Sequence, residues 1–358
     1  MKKDIENDNK KIILHFLNTG NYSGAENVVI TIIKGIDQRF GYISYYVSVD
    51  GEINKILTEN GVKHISLKKA NIKELQKVID TYKPDVIHAH DFTMGVLLAF
   101  VKSKGIRISH LHNNPPWIQH INWKTLLYGI LSRQYQYILA VSQSIIEEYI
   151  FGKYIKKKYV VVDNPIDTGA IVKKALQSGE KEKCDIIFLG RLTEQKDPKR
   201  FIEIVNKIYV DNKKVKALMI GTGELENECK VLIDILNLQH HVKCIGFKEN
   251  PYGYLSNAKV LCLPSKWEGF GLVIIEAFSL GIPVVATPVG GIRQLVTPEV
   301  GILSNDNDAI CNEITKLLGN SEYYKKKSNA ALERAKKLNN INDYMNKINM
   351  CYERIDDC

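Results

Sequence analysis

Short apolar runs that end in Gly, Asn or Asp alternate along this chain with amphipathic stretches of helix length, and the alternation is played through twice. In the first half, residues 11–17, 42–49, 85–89, 106–111, 137–141 and 159–162 read as strands, with helices over 25–36, 53–60, 72–81 and 94–104. In the second half, strands over 186–189, 216–220, 242–245, 260–263 and 283–286 alternate with helices over 198–210, 224–236, 272–280 and 308–318. Strand–helix alternation of this kind builds parallel sheets covered on both faces. The expected fold class is α/β, with two doubly wound Rossmann-like domains facing a cleft. Ligands of such sheets sit at the carboxyl ends of the strands, which makes that cleft the expected site.

Domain boundaries follow from where the alternation stops. After Asn164-Pro165 no period is legible until Cys184, and this stretch reads as a linker. The expected domains are 1–165, 182–335 and a terminal helix over 336–358 that crosses back to the first domain. The 328–352 segment carries Leu332, Ala335, Leu338, Ile341, Tyr344, Met345, Ile348 and Cys351 at helical spacing.

The chain has 358 residues, 45% hydrophobic and 25% charged, which excludes a disordered chain. Its longest apolar run, 94–101, is far short of the about 20 residues a spanning helix needs. Residues 12–17 are too short for a signal-peptide core, so the expected location is cytoplasmic. Seven cysteines without a CxxC pair form no disulfide framework. His240, His241 and Cys244 lack a second ligand pair and read as a helix end followed by a strand. The net charge of +9 is uneven: residues 1–163 carry +7 and residues 164–358 carry +2. A basic first half fits an anionic partner, either a phosphorylated substrate, a membrane surface or a nucleic acid. No P-loop, helix-turn-helix or zinc signature supports nucleic acid. The segment 117–135 is amphipathic, aromatic and basic, and either lies at the inner face of a membrane or faces the core. Lys153 and the lysines at 156–158 add to the membrane reading.

Two constellations carry chemistry. In Pro264-Ser265-Lys266-Trp267-Glu268-Gly269-Phe270-Gly271-Leu272-Val273-Ile274-Ile275-Glu276-Ala277 a strand ends, a glycine-rich turn follows and an apolar helix begins. Glycines admit close approach of a ligand, and unpaired N–H groups at a helix start attract an anion. Glu268 lies in that loop. Glu276 sits among Val273, Ile274, Ile275 and Phe278, where a carboxylate is costly without hydroxyl donors such as those of a ribose. In Gly190-Arg191-Leu192-Thr193-Glu194-Gln195-Lys196-Asp197-Pro198, two cations follow a strand and precede a helix. Arginine binds a diphosphate by paired hydrogen bonds, lysine as a point charge. Asp306-Asn307-Asp308 has the outline of a metal-binding DxD triplet, but Asp308 reads as a helix N-cap.

Together these segments resemble the retaining glycosyltransferases of family 4, which have the GT-B fold. Glu268 and Glu276 are spaced as in the family's E-x7-E signature. Ser23-Gly24-Ala25-Glu26, Asp85-Val86-Ile87-His88-Ala89-His90, Gly221-Thr222-Gly223-Glu224 and Val289-Gly290-Gly291 extend the likeness over nearly the whole chain. The resemblance implies that Arg191 and Lys196 hold the donor diphosphate, that Phe270, Gly271 and Leu272 meet phosphates and sugar, and that Glu276 binds the ribose. It further implies that Glu268 faces the donor sugar, that His90 lies near the transferred sugar, that Gly24 approaches the distal phosphate, and that Gly190, Gly246 and Phe247 line the donor site. His88 and His90 are expected on opposite faces of their strand, with His90 facing the cleft; His112 is a further candidate for acceptor contact. Two departures stand out: Ser23-Gly24 where many relatives have two glycines, and Ile292-Arg293-Gln294 where Pro-Glu is common.

The implied activity is transfer of a hexosyl unit from a nucleotide diphospho-sugar, a UDP-sugar being favoured, to a glycan acceptor, lipid-linked in surface polysaccharide assembly. No metal or other cofactor is expected, because cations and a helix terminus already offset the diphosphate charge. The rivals are a non-catalytic donor-binding partner subunit and a sugar-nucleotide epimerase of the same fold.

Overall fold

A computed structural model of the protein describes residues 10–155, 158–179 and 182–354. They divide into two compact units: the described residues up to Pro165 together with those from Ile341, and Ile166–Asn340. The second unit thus starts before 182 and ends after 335, and the terminal helix begins at Ile341 and not at 336.

The first unit is built on seven parallel strands: β1 (Ile12–Phe16), β2 (Ile43–Val49), β3 (His64–Leu67), β4 (Val86–Ala89), β5 (Ile106–Leu111), β6 (Tyr137–Ala140) and β7 (Tyr159–Val161). Their order is β3-β2-β1-β4-β5-β6-β7. The chain therefore reverses direction between β1 and β4, the place where an open parallel sheet leaves a crevice. Ile13, Leu14, Phe16, Val86, Ile87 and Ala89 of these two central strands are wholly buried, as helices on both faces require.

The second unit has six parallel strands: β8 (Cys184–Leu189), β9 (Ala217–Ile220), β10 (Val242–Cys244), β11 (Ala258–Leu263), β12 (Val284–Ala286) and β13 (Gly301–Leu303). The order β10-β9-β8-β11-β12-β13 places its reversal between β8 and β11. Phe188, Phe201, Ile204, Val205, Met219 and Val260 fill one face of the sheet, which holds β8 and β11 rigid beneath their loops.

Several expectations need correction. The stretch after Pro165 is not irregular: Thr168–Gln177 is a helix, capped by Asp167, whose carboxylate accepts from the Ala170 N–H at 2.9 Å. None of its residues is buried, and its apolar stripe, Ile171, Val172, Ala175 and Leu176, is short and lies between Gly169 and Ser178-Gly179. The C-terminal segment is two helices, Ser321–Leu338 and Ile341–Glu353, parted at Asn339-Asn340. The second belongs to the first unit, where Tyr42 donates to Asn349 at 2.6 Å and Lys11 pairs with Glu353. The helix Asn307–Gly319 is capped by Asp306, which accepts from the Asp308 N–H at 3.0 Å; Asp308 is not the cap and pairs with Lys207. His241 makes a 3.0 Å contact with the Val215 carbonyl and its ring lies on Tyr209, a structural role.

The segment 117–135 resolves into the short helix Trp123–Leu131 between two single turns. Thr125, Tyr128 and Ser132 face inward, while Ile121, Trp123, Leu126 and Ile130 are 69%, 70%, 45% and 65% exposed. This helix serves the core with one face and presents apolar side chains to solvent with the other. Among the described residues no helix is long and apolar enough to cross a membrane.

Candidate functional site

In the second unit the loops after β8 and β11 flank the reversal point, and they are tied together there. Lys196, at the end of the β8 loop, forms an ion pair with Glu268 of the β11 loop, both largely buried. The Ser265 hydroxyl donates to the same carboxylate at 3.4 Å. Gln195 reinforces the crossing: its side-chain N–H donates to the Trp267 carbonyl at 3.1 Å, and its own carbonyl accepts from the Lys266 N–H at 2.8 Å. Arg191 is exposed and donates at 3.3 Å to the side-chain carbonyl of Gln195, the residue that precedes Lys196 in the same loop.

Glycines set how closely the neighbouring loops approach. A Cβ on Gly221 would lie 2.0 Å from the Gly190 carbonyl oxygen, and one on Gly291 2.6 Å from the Gly269 carbonyl oxygen. The loop after β9 is thereby pressed onto 190–192, and the loop after β12 onto 269–270. Gly271, at φ 95°, turns the chain into the helix Leu272–Ser279 and leaves its first N–H groups without side-chain caps. Phe270 is buried beneath this turn and Leu272 half-buried. Glu276 follows one turn later, accepting from the Tyr252 hydroxyl at 3.2 Å. Burial raises its carboxyl above the ordinary carboxylate range, while Tyr252, Lys174 and Lys196 act in the opposite direction. Gly246, at φ 69°, accepts from the Gly221 N–H at 3.0 Å, and Phe247 beside it is 51% exposed. Arg293, one of the two departures, folds back to donate to the Pro288 carbonyl at 2.7 Å.

Gly24 and His90 belong to the first unit. Gly24 opens the helix Gly24–Phe40 after the β1 loop. His90 lies just past β4 at that sheet's own reversal point; its N–H donates to the Phe16 carbonyl at 3.0 Å. Asp91 caps the following helix, accepting from Met94 N–H at 2.7 Å and from Asn18 N–H at 3.1 Å, with its pKa pushed by burial up to about 6.

His88 and His90 do not point to opposite faces. Residues two apart on a strand share a face, and their ring centroids are 4.0 Å apart. His15 pairs in register with His88, and His88 with Ile108, which puts His110 and His112 on that face too. Five imidazoles therefore gather over the ends of β1, β4 and β5. His90 bridges His15 at 2.9 Å and His112 at 3.0 Å, and His88 meets the Tyr352 hydroxyl at 2.8 Å. Burial holds all five below the ordinary histidine range, His15 and His112 near about 3, so they are neutral at pH 7.

Sequence reading missed Gln195, Tyr252, Lys174 and His110. Tyr252 lies in the short helix Tyr252–Ser256, too brief to show a period, and Lys174 in a helix whose apolar stripe is short. His110 carries a signal only once His15, His88, His90, His110 and His112 are seen as one strand-end pattern at spacings of two.

Two doubly wound parallel sheets, of seven and six strands, are the architecture of the GT-B fold. The pattern of the Glycosyl transferases group 1 family matches residues 172–336, and that of Glycosyltransferase Family 4 matches residues 22–170. This chain belongs to glycosyltransferase family 4 and is a glycosyltransferase. An uncharacterized glycosyltransferase of Methanocaldococcus jannaschii is 29% identical over 307 residues, 76% of this chain and 75% of that protein. The Campylobacter jejuni N-acetylgalactosamine-N,N'-diacetylbacillosaminyl-diphospho-undecaprenol 4-alpha-N-acetylgalactosaminyltransferase is 29% identical over 221 residues, 60% of each chain. The crystal structure of Anabaena HepE in complex with UDP and glucose superposes with a TM-score of 0.83 at 21% identity, over 97% of this chain and 99% of that one.

Proposed function

We propose that the protein transfers a hexosyl unit, with retention of configuration, from a UDP-sugar to a lipid-linked glycan acceptor in surface polysaccharide assembly. The observation that carries the reading is the Lys196–Glu268 pair at the reversal point of the second sheet, with Arg191 beside it. HepE, of the same fold, is described with UDP and glucose bound, and the Campylobacter relative is named for a diphospho-undecaprenol acceptor. In this account residues 166–340 bind the donor and the first unit binds the acceptor.

Arg191 and Lys196 hold the diphosphate, with the N–H groups of Gly271 and Leu272. Glu276, whose one described side-chain hydrogen bond comes from Tyr252, accepts from the ribose hydroxyls. Gly190, Gly246 and Phe247 line the nucleotide, Phe270 supports the phosphate turn, and Glu268 faces the sugar, to which it also orients Lys196. Gly24 approaches the distal phosphate and His90 the transferred sugar. The acceptor hydroxyl attacks the anomeric carbon on the face the diphosphate leaves. The carbon–oxygen bond to phosphate breaks, a leaving phosphate oxygen takes the acceptor proton, and the two cations stabilise the charge that develops there. Because those cations supply the neutralisation, turnover is expected to survive strong chelation. Loss of activity in EDTA with recovery on added Mg²⁺ or Mn²⁺ contradicts this.

The exposed face of Trp123–Leu131 supports a position on the inner, anionic face of a membrane. Trp123, Leu126 and Ile130 supply apolar contact, and Lys124, poised 5.3 Å from the Trp117 ring and 5.8 Å from that of Trp123, supplies charge worth roughly 1 kcal/mol near an anionic surface. Phe151 packs against Gly129 of this helix and carries the 85% exposed Tyr154 beside it. The lysines at 156 and 157 lie outside the described residues. Lys158 donates to the Arg133 and Tyr135 carbonyls, both at 2.9 Å, so charge reversal there would disturb the fold as well as the surface. The helix face is the cleaner target. Wild-type protein is expected to float with anionic vesicles at low salt and to be released by high salt, and the Trp123→Ser, Ile130→Ser double variant to bind at least tenfold more weakly. Wild-type protein that ignores anionic vesicles at low salt rules the surface out.

A further inference from the structure

The five histidines of the first unit leave much of their hydrogen-bonding capacity unmet. The ring nitrogens His15 Nε2, His88 Nε2, His112 Nδ1 and both nitrogens of His110 are buried and have no hydrogen-bond partner among the described residues. An unmet buried polar atom costs about 1–3 kcal/mol, and His110, with neither ring nitrogen met, is the ring that a ligand would relieve most. His110 is 0% exposed, and packing alone would be served as well by an apolar ring.

The nitrogens are also arranged to meet one. His90, His110 and His112 each offer a ring nitrogen within 4.8 Å of the other two, and so do His15, His88 and His90. Zinc–nitrogen bonds of about 2.0–2.1 Å in tetrahedral geometry place two ligand nitrogens about 3.3 Å apart. The His90–His112 separation of 3.0 Å is a few tenths of an ångström from that. Imidazole nitrogen suits borderline-soft divalent ions of the zinc class. His112 is only half-buried, whereas His15, His88 and His90 are all enclosed, so the outer trio has the entry path.

We propose that His90, His110 and His112 form a site for a divalent transition ion of the zinc class, and that the ion inhibits transfer by holding His90. None of the three histidines is among the residues proposed to hold the donor diphosphate, so the proposal is compatible with turnover in EDTA. Its inhibitory effect rests on His90 lying at the transferred sugar; binding itself does not.

The test is titration of the full-length apo protein with Zn²⁺ by calorimetry, followed by X-ray absorption of the loaded protein. The expected result is one saturable equivalent with a nitrogen-and-oxygen shell. His110→Phe keeps a ring in place while removing two unpartnered nitrogens. It is expected to match the wild type in thermal stability, to retain metal-free turnover and to bind zinc at least tenfold more weakly. His110→Gln serves as the second variant should the larger ring not fit. Absence of saturable binding means the nitrogens are met by water alone and overturns the site. So does sulfur in the shell, which would place the ion on cysteines, or an affinity unchanged in both variants. Zinc loading is expected to suppress turnover and EDTA to restore it. A nitrogen-ligated ion that leaves turnover unchanged overturns the inhibitory role and speaks against the reading of His90, with the site itself intact.

Discussion

Lys196→Ala is expected to lower kcat on the order of 10²-fold or more, because charge developing on the leaving diphosphate loses its nearest ammonium. The substitution also strips Glu268 of its ion-pair partner in a largely buried setting, at about 1–3 kcal/mol in stability. Two effects are thereby mixed, and a second variant separates them. Lys196→Met with Glu268→Gln removes both charges, so thermal stability should return towards wild type while turnover stays low. A variant pair in which activity recovers together with melting temperature would make the ion pair purely structural. Arg191→Ala removes an exposed side chain that touches Gln195. It should therefore lower turnover to a similar extent with little change in stability.

Gly221→Ala is expected to damage the donor site from beneath. The φ of 136° at this position is strained for any residue with a Cβ, and the added carbon would fall 2.0 Å from the Gly190 carbonyl oxygen. Neither atom is the end of a flexible side chain, so a backbone segment must move. Strain of this kind costs about 1–3 kcal/mol, and the displaced segment is the one that carries Arg191. Donor affinity, measured by calorimetry with the UDP-sugar, should fall at least tenfold. Gly179→Ala also places a Cβ at positive φ, 68°, but meets nothing within 4 Å among the described residues, and serves as the control with unchanged donor affinity. Equal affinities in the two variants would show that the Gly221–Gly190 contact does not shape the site.

The central strands of both sheets are legible in the sequence because each is a short, mostly buried and mostly apolar run. The edges are less so. β3 and β13 escape notice: β3 buries only Leu67 of its four residues, and β13 only Gly301 of its three. The helix Thr168–Gln177 is hidden because its stripe, Ile171, Val172, Ala175 and Leu176, is short and lies between Gly169 and Ser178-Gly179. Its loss matters for the site, because Lys174 acts on Glu276 from that helix. Glu268 and Lys196 are visible as residue types at strand ends, yet their pairing is not, being separated by 72 positions and joined only by the strand order β8-β11. The histidine cluster fails for a plainer reason. A spacing of two along a strand puts His88 and His90 on the same face, and reading them as opposed hides the partnership with His15 and His110.

The most direct test of the account is a donor screen of the purified protein. UDP-, GDP- and ADP-sugars would be presented in EDTA, with and without a diphospho-undecaprenol-linked glycan, and the released nucleoside diphosphate measured. The account predicts that a UDP-sugar is consumed, that release depends on the lipid-linked acceptor, and that Arg191→Ala and Lys196→Ala abolish most of it. Turnover of donor alone to an isomeric nucleotide sugar, or release that is equal in wild type and in both variants, would contradict it.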